Sequence, residues 1–176
     1  MSGHNKFSKI KHQKAATDAK KSKVFSKYVR LITAESKKVK GDMNSPTLTV
    51  IIEKAKKENM PKDVIERAVK KGTDTSSGSM EAITYEAYGP GGSALIIEAL
   101  TDNRNKAAQE VKHILSKNGA SIANPGAASW AFEKQNREWM PKTTMDLSDE
   151  DLEILTKLVD ELEDNDEVQA VFTNVE

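Results

Sequence analysis

Apolar residues recur at helical spacing from about residue 14 to about residue 72 of the chain. From about residue 14 to residue 39 they follow the i, i+3, i+4 rule of a buried helix face, with Val24, Phe25, Tyr28, Val29 and Ile32 as its clearest members. Two further stripes predict one helix that starts at Ser45-Pro46 and another that runs from Pro61 to Gly72. We therefore predict a three-helix bundle, preceded by an arm over residues 1–12 in which the apolar positions show no clear period.

After a Ser- and Thr-rich linker at residues 73–79, the pattern changes to alternating strands and helices. Strands are predicted at 83–88, 94–100, 128–132, 139–147 and 168–175, with helices after Thr101-Asp102 and after Ser148. If the first strand is set aside, the order is β-α-β-β-α-β, which is typical of ferredoxin-like folds. The predicted class is α+β: a helical domain over 1–74, then a ferredoxin-like domain over 80–176 with one extra leading strand.

The charges divide the chain at the same place. The formal net charge of zero hides nineteen Lys and Arg against seven Asp and Glu in residues 1–72, and eight against twenty in residues 73–176. Such asymmetry indicates a basic unit that binds a polyanion and an acidic unit that avoids it. The basic residues are densest between Gly3 and Lys40, where twelve are opposed only by Asp18 and Glu35.

This density of cations favours nucleic-acid binding over a merely solvated lysine-rich surface. Most of the cations are lysines, which meet phosphate as point charges, whereas specific base reading favours bidentate arginine. We therefore expect contact with phosphate backbones more than sequence readout. The candidate nucleic-acid-binding residues are His4, Lys6, Lys9, Lys11, His12, Lys14, Lys20, Lys21, Lys23, Lys27, Arg30 and Arg67.

Other kinds of site find little support in the sequence. Without cysteine, and with only three histidines, no metal site, no cofactor and no nucleophile-base set is expected, so we predict that the protein is not an enzyme. The turn at Gly89–Gly92 lacks the Gly-Lys-Ser/Thr ending of a phosphate loop. Arg104, beside a predicted helix start, could meet phosphate or a partner's carboxylate. No apolar run approaches the length of a membrane helix. We expect a cytoplasmic protein, or a mitochondrial one only if the source is eukaryotic.

Several long blocks of the sequence resemble the YebC family. They include Gly3–Phe7, Ile10–Lys20, Asn59–Ala68, Tyr85–Gly92, Thr101–Asn105 and Leu162–Gln169. The family contains bacterial proteins described as transcriptional regulators and a mitochondrial translational activator of cytochrome oxidase subunit one. Typical members carry an inserted third domain between the strands near Phe132 and Met140, where this chain has only residues 133–139, so it resembles a short member.

The resemblance implies a regulator of gene expression that binds nucleic acid without catalysis. The bacterial members imply DNA, whereas the mitochondrial member implies ribosomal RNA, so both targets remain open. A protein-interaction adaptor, with a protein partner on the acidic domain, is the alternative from another class. The leading hypothesis is a DNA-binding transcriptional regulator that holds the phosphate backbone through its lysine-rich domain, with a translation factor on the ribosome as its main rival.

Overall fold

Three helices open the fold in a computed structural model, which describes residues 18–76 and 78–176, with the backbone alone for residues 18–20. They are α1 (Asp18–Lys38), α2 (Pro46–Lys57) and α3 (Lys62–Thr73). The predicted arm and the predicted first turn of α1 lie outside the described residues. By its contacts the chain forms two units, and these three helices belong to the one made of Ala16–Ala82 and Leu100–Arg104.

The helices bury the apolar stripes that the sequence predicted. Ile32 of α1, Leu48 and Ile52 of α2, and Ile65 and Val69 of α3 form one core, in which Ile32 and Leu48 are fully buried. Pro46 occupies the first turn of α2, where its missing N–H costs no helical hydrogen bond. Ser45 precedes it but makes no side-chain cap, because its hydroxyl lies 3.0 Å from the hydroxyl of Thr47.

Gly72 lets α3 approach α1 closely. A Cβ at this position would lie 2.6 Å from the carbonyl oxygen of Thr33 and 2.7 Å from the Cβ of Ser36. Two hydroxyls of α1 also donate to carbonyls of α3: Ser36 to Val69 over 2.7 Å and Thr33 to Ala68 over 3.2 Å. The pairing of these helices therefore depends on small residues and buried hydrogen bonds as well as on apolar packing.

The second unit is built on a four-stranded sheet in the order β3-β1-β2-β6. Its strands are β1 (Glu81–Tyr88), β2 (Ala94–Thr101), β3 (Ser121–Ala123) and β6 (Val168–Thr173), and the helices are α4 (Arg104–Lys117) and α5 (Asp149–Asp164). Strands β1 and β3 run antiparallel with Ala87 opposite Ile122, and β2 and β6 run antiparallel with Ile97 opposite Val171. The predicted α+β class, with helices followed by a largely antiparallel sheet and its two helices, is confirmed.

The sheet separates two apolar clusters. Leu95 and Ile97 of β2 face the helices and join the main core with Val111 and Leu155. Side chains alternate along a strand, so Ala94 and Ile96 point to the opposite face. There they pack against a smaller cluster that contains Ala128, Ala131 and Phe132.

The segment that covers this second face differs from the prediction. The strand expected at 128–132 is a 3-10 turn, Ser129–Ala131, followed by β4 (Phe132–Gln135). The strand expected at 139–147 is the short β5 (Glu138–Pro141), and β4 and β5 pair only with each other. Proline lacks the N–H that a continuing ladder needs, which accounts for the early end of β5.

Two further strands differ from the prediction. The leading strand β1, which the sequence pattern set apart, lies inside the sheet between β3 and β2. Strand β3 was not predicted, because its three residues are too few to show alternation. Beyond β5, the segment near Met145 forms a single parallel bridge to Val175.

The segment Gly89–Gly92 connects β1 to β2 by a tight turn. The amide of Gly92 donates to the carbonyl oxygen of Gly89 over 3.2 Å, and Gly91 adopts φ 64° and ψ 14°. Pro90 and Gly91 are thus the two central residues, with glycine at the position that requires positive φ. Ser148 caps α5 as predicted, because its Oγ accepts the amide of Asp151 over 3.1 Å.

Candidate nucleic-acid interface

Helix α1 carries the predicted cations away from its apolar stripe. Lys23, Lys27 and Arg30 are spaced three or four residues apart, so the helix places them on neighbouring turns of one face. Lys21 is exposed, while Lys23 and Lys27 are half-buried and take part in further interactions of their own. The helix therefore aligns several cations in a row, which suits successive phosphates of a polyanion.

Arg30 has a structural contact that the sequence did not indicate. Its Nη1 donates to the carbonyl oxygen of Leu100 over 3.1 Å, in a partly buried position within the same unit. Arg30 takes part in further interactions as well. It is therefore an anchor inside the unit, and its place among the candidate phosphate contacts stays a prediction.

Arg67 forms an exposed ion pair within α3. Its Nη2 lies 3.0 Å from Oδ2 of Asp63, one helical turn earlier, and both side chains are largely exposed. Such surface pairs contribute little net stability, since water and salt screen them. A phosphate can therefore compete for Arg67 at small cost.

Some exposed cations of the unit were counted in the sequence but not assigned to the site. Lys54, Lys56 and Lys57 form the last turn of α2, and Lys70 lies near the end of α3. Cations at a helix C-terminus complement the helix dipole, which is reason enough for their presence. The helical period of α2 was the signal that could have placed Lys54 and Lys57 together on its exposed face.

The remaining predicted residues fall into two groups. Arg104 donates from Nη1 to Oε1 of Glu81 over 2.6 Å, in an exposed pair, so a carboxylate of the same chain already meets the guanidinium. His4, Lys6, Lys9, Lys11, His12 and Lys14 lie outside the described residues, as does the side chain of Lys20.

Two further types of site can be addressed on the described part of the chain. Between residues 18 and 176, leaving out residue 77, no group of three or more His, Asp or Glu side chains is arranged to hold a metal ion. Over the same residues no helix is long and apolar enough to cross a membrane.

Comparison with known proteins assigns the chain to a family. The family model described as the TACO1/YebC protein N-terminal domain matches residues 5–75. The model described as the TACO1/YebC second and third domain matches residues 80–137 and 134–175. These matches span almost the whole chain.

Individual relatives agree with the family models. A "Probable transcriptional regulatory protein" of Fervidobacterium nodosum is 39% identical over 235 aligned positions, which cover 99% of this chain and 93% of the relative. A protein of the same name from Desulfosudis oleivorans is 43% identical, over 100% of this chain and 72% of the relative. Among solved structures, the conserved hypothetical protein Aq1575 from Aquifex aeolicus superposes with a TM-score of 0.84 at 29% identity, over 95% of each chain. The chain therefore belongs to the TACO1/YebC family and, with 176 residues, is a short member of it.

Proposed function

We propose that this protein is a non-enzymatic regulator of gene expression that binds DNA through the phosphate backbone, with its helical unit as the binding surface. The observation that carries the proposal is the separation of charge: nineteen Lys and Arg against seven Asp and Glu in residues 1–72. Each phosphate that a Lys or Arg neutralises releases condensed counterions, so this excess favours a polyanion. The names of the bacterial relatives support a role in transcription.

The described helices support this proposal in their arrangement. The face of α1 with Lys23 and Lys27, and the exposed end of α2 with Lys54 and Lys57, offer cations at helical spacing on rigid elements. Lysine dominates these positions, and a lysine ammonium binds phosphate without reading base edges. The proposed binding is thus weakly specific for sequence.

A charge-reversal variant tests the binding surface. Replacing Lys20, Lys23 and Lys27 by Glu changes the formal charge by six units on one helix face, so we expect the affinity for a labelled DNA duplex to fall at least 100-fold. Fluorescence anisotropy measures the affinity, and circular dichroism verifies that the helices remain.

The matched control makes the same change of charge on the acidic unit. Replacing Lys112, Lys117 and Lys157 by Glu alters the net charge equally but leaves α1 intact, and we expect a much smaller loss of affinity. Equal losses in both variants would show that only the net charge matters and would refute α1 as the binding surface.

The ribosome remains the rival target, and a sedimentation experiment separates it from DNA. In a lysate fractionated on a density gradient, a DNA-binding regulator is expected at the top of the gradient after nuclease treatment of the DNA. Comigration with the large ribosomal subunit, lost at high salt, would favour ribosomal RNA instead.

A further inference from the structure

Trp130 is the most exposed large apolar side chain of the described residues, with 53% of its surface accessible. It lies in the 3-10 turn that precedes β4, next to Ala131, which is fully buried under the sheet. Single apolar residues at a surface are ordinary. Trp130 is different because hydrogen bonds hold its loop in place and because most acidic residues of its unit lie on the other face of the sheet.

The loop before Trp130 is fixed by two side chains of β1. The carboxylate of Glu86 accepts three backbone N–H groups, from Gly126 over 2.5 Å, from Ala128 over 3.0 Å and from Ser129 over 2.6 Å. The hydroxyl of Tyr88, two residues along the same strand face, donates to the carbonyl oxygen of Ala127. Four hydrogen bonds thus tie four consecutive residues to the sheet immediately before Trp130.

The protonation state of Glu86 fits this role. Burial by itself raises the pKa of this carboxyl group, but the backbone N–H groups of Gly126, Ser129 and Ala128 outweigh it, so its pKa is lowered. The carboxylate is therefore charged at neutral pH and can hold all three amides at once. A side chain presented from such a loop keeps its position without paying an ordering cost on binding.

Most acidic residues of the unit that contains Trp130 lie on the other side of the sheet. Glu86 and Glu98 share its side, where Glu86 accepts three loop amides and Glu98 accepts the indole N–H of Trp139. Residues 83–99 and 105–176 contain seventeen Asp and Glu, and ten of them lie in α5 and the turn after it, at residues 149–167. Helix α5 packs on one face of the sheet, whereas the loop and the β4–β5 hairpin pack on the other. The same two ranges contain seven Lys and Arg. Residues 130–142 hold three of them, Lys134, Arg137 and Lys142, with only two acidic residues.

The hairpin places these cations at both of its ends. At the open end, the carbonyl oxygen of Ala131 accepts a hydrogen bond from the amide of Lys142 over 2.9 Å. The backbone of Lys142 therefore lies next to Ala131, the residue that follows Trp130. At the other end, Asn136 and Arg137 have φ of 50° and 70°, as in a type I′ turn. The strand from Phe132 to Gln135 separates the two ends by roughly 10 Å. In the middle, the ammonium of Lys134 lies 4.7 Å from the ring of Trp139.

From these observations we propose that Trp130 is a stacking site for an unpaired base of single-stranded nucleic acid, with Arg137 and Lys142 next to the flanking phosphates. An exposed indole on a rigid loop offers a flat face to any base, and only an unpaired base has a free face to stack on it. The site rests on the proposed function, because the helical unit supplies most of the affinity for the polyanion. It adds a preference for single-stranded regions that the lysines alone do not provide.

Tryptophan fluorescence tests this site directly, because the chain has only two tryptophans, Trp130 and Trp139. The variant Trp139→Phe leaves Trp130 as the sole reporter. The variant is titrated with a labelled oligothymidylate of 15 nucleotides. The anisotropy of the label reports overall binding, and the quenching of Trp130 reports base stacking. We expect strong quenching by the single strand and weak quenching by a duplex of the same length.

Affinity measurements complete the test. Stacking of one base accounts for a roughly 5- to 100-fold gain in affinity, so Trp130→Ala should weaken single-strand binding by that factor, while Trp130→Phe should keep most of it. The matched control is Ile154→Ala, which removes another exposed apolar side chain from α5, on the far side of the sheet, and should change nothing. If Trp139→Phe fails to fold, the difference in quenching between the natural chain and Trp130→Phe gives the same information.

The outcomes separate this inference from the proposed function. The anisotropy could show binding while Trp130 stays unquenched and Trp130→Ala keeps its affinity. That result would overturn the stacking site alone and would leave that surface to a protein partner. No binding of any oligonucleotide, even at low salt, would overturn the proposed function and the stacking site together. Quenching with the expected loss of affinity supports both.

Discussion

Glu86 is a buried carboxylate that accepts hydrogen bonds from the backbone of a loop far away in the sequence. Its three acceptor bonds reach residues forty or more positions later in the sequence. Nothing in the local pattern of β1 distinguishes it from a solvent-facing glutamate, because alternation alone places it on the face opposite to the main core. Its partners become visible only when the loop and the strand are brought together, so sequence reasoning missed it.

The variant Glu86→Gln should destabilise the second unit in a pH-dependent way. The amide that replaces one carboxylate oxygen turns a donor toward a backbone N–H, so we expect a loss of about 1–3 kcal/mol in the free energy of unfolding at pH 7. The pKa of Glu86 is lowered in the folded protein, so its contribution is complete above the ordinary glutamate pKa of about 4.3 and is lost as the pH falls through the lower folded value.

Urea unfolding of both proteins between pH 7 and pH 3 measures this difference. The gap between the natural chain and Glu86→Gln should narrow below about pH 4.3. A gap that stays constant over the whole range would mean that the charge of Glu86 does not support the loop.

At the scale of secondary-structure elements, the helical unit was largely predictable. The stripes with Leu48, Ile52 and Ala55 in α2, and with Ile65, Ala68 and Val69 in α3, are buried as the helical period indicated. The close contact of α3 with α1 was not predicted, since Gly72 looks like an ordinary helix end in the sequence. Only the distance to Thr33 and Ser36 shows that the glycine is needed for packing.

Adding a methyl group at Gly72 tests this helix contact. Because the new Cβ would lie 2.6 Å from a backbone carbonyl oxygen, α3 must shift, and we expect Gly72→Ala to lower the free energy of unfolding of the helical unit by about 1–3 kcal/mol. Helix propensity alone favours alanine over glycine, so a loss of stability isolates the steric effect. Chemical denaturation followed by circular dichroism at 222 nm measures it.

Gly78 is the matched control for this variant. Among the described residues, leaving out the two chain neighbours of Gly78, no atom lies within 4 Å of a Cβ built on it, and its φ is not positive. Gly78→Ala should therefore leave the stability nearly unchanged. Equal effects at both positions would show that the α1–α3 contact tolerates the added methyl group.

The strands were harder to predict than the helices, for two physical reasons. Strands β4 and β5 form their ladder hydrogen bonds with each other. The sequence pattern therefore predicts strands there, although these strands do not join the four-stranded sheet. Trp139 anchors it by donating from Nε1 to Oε1 of Glu98 over 3.0 Å, a contact between side chains forty-one residues apart. Such long-range contacts, which decide which strands share a sheet, leave no periodic signal in the sequence.

At the scale of the whole molecule, the length of the chain and the distribution of its charges are the informative features. The alignment with the Fervidobacterium nodosum relative covers 235 positions, more than the 176 residues of this chain, so that relative contains residues that this chain lacks. The two parts of the second family match overlap at residues 134–137, which are the end of β4 and the turn of the β4–β5 hairpin. We propose that the chain has two domains, 1–74 and 80–176, and that this hairpin stands where longer relatives carry the inserted third domain.

The division of charge between the two halves was readable from composition alone. The structure adds the rows of cations on α1 and at the end of α2, and the segregation of the acidic residues onto α5. Neither the residue types nor their spacing distinguishes DNA from RNA, because both ligands present the same phosphates. The central claim is therefore electrostatic: the chain binds nucleic acid by neutralising phosphates.

The salt dependence of binding to a DNA duplex tests that claim most directly. Anisotropy titrations between 50 and 300 mM KCl give the slope of log K against log salt, which should be steep, near −0.9 for every phosphate neutralised. With several lysines engaged, the affinity is expected to fall by at least 100-fold over this range, and the Lys20, Lys23 and Lys27 charge reversal should flatten the slope. A slope near zero for the natural chain would contradict the account.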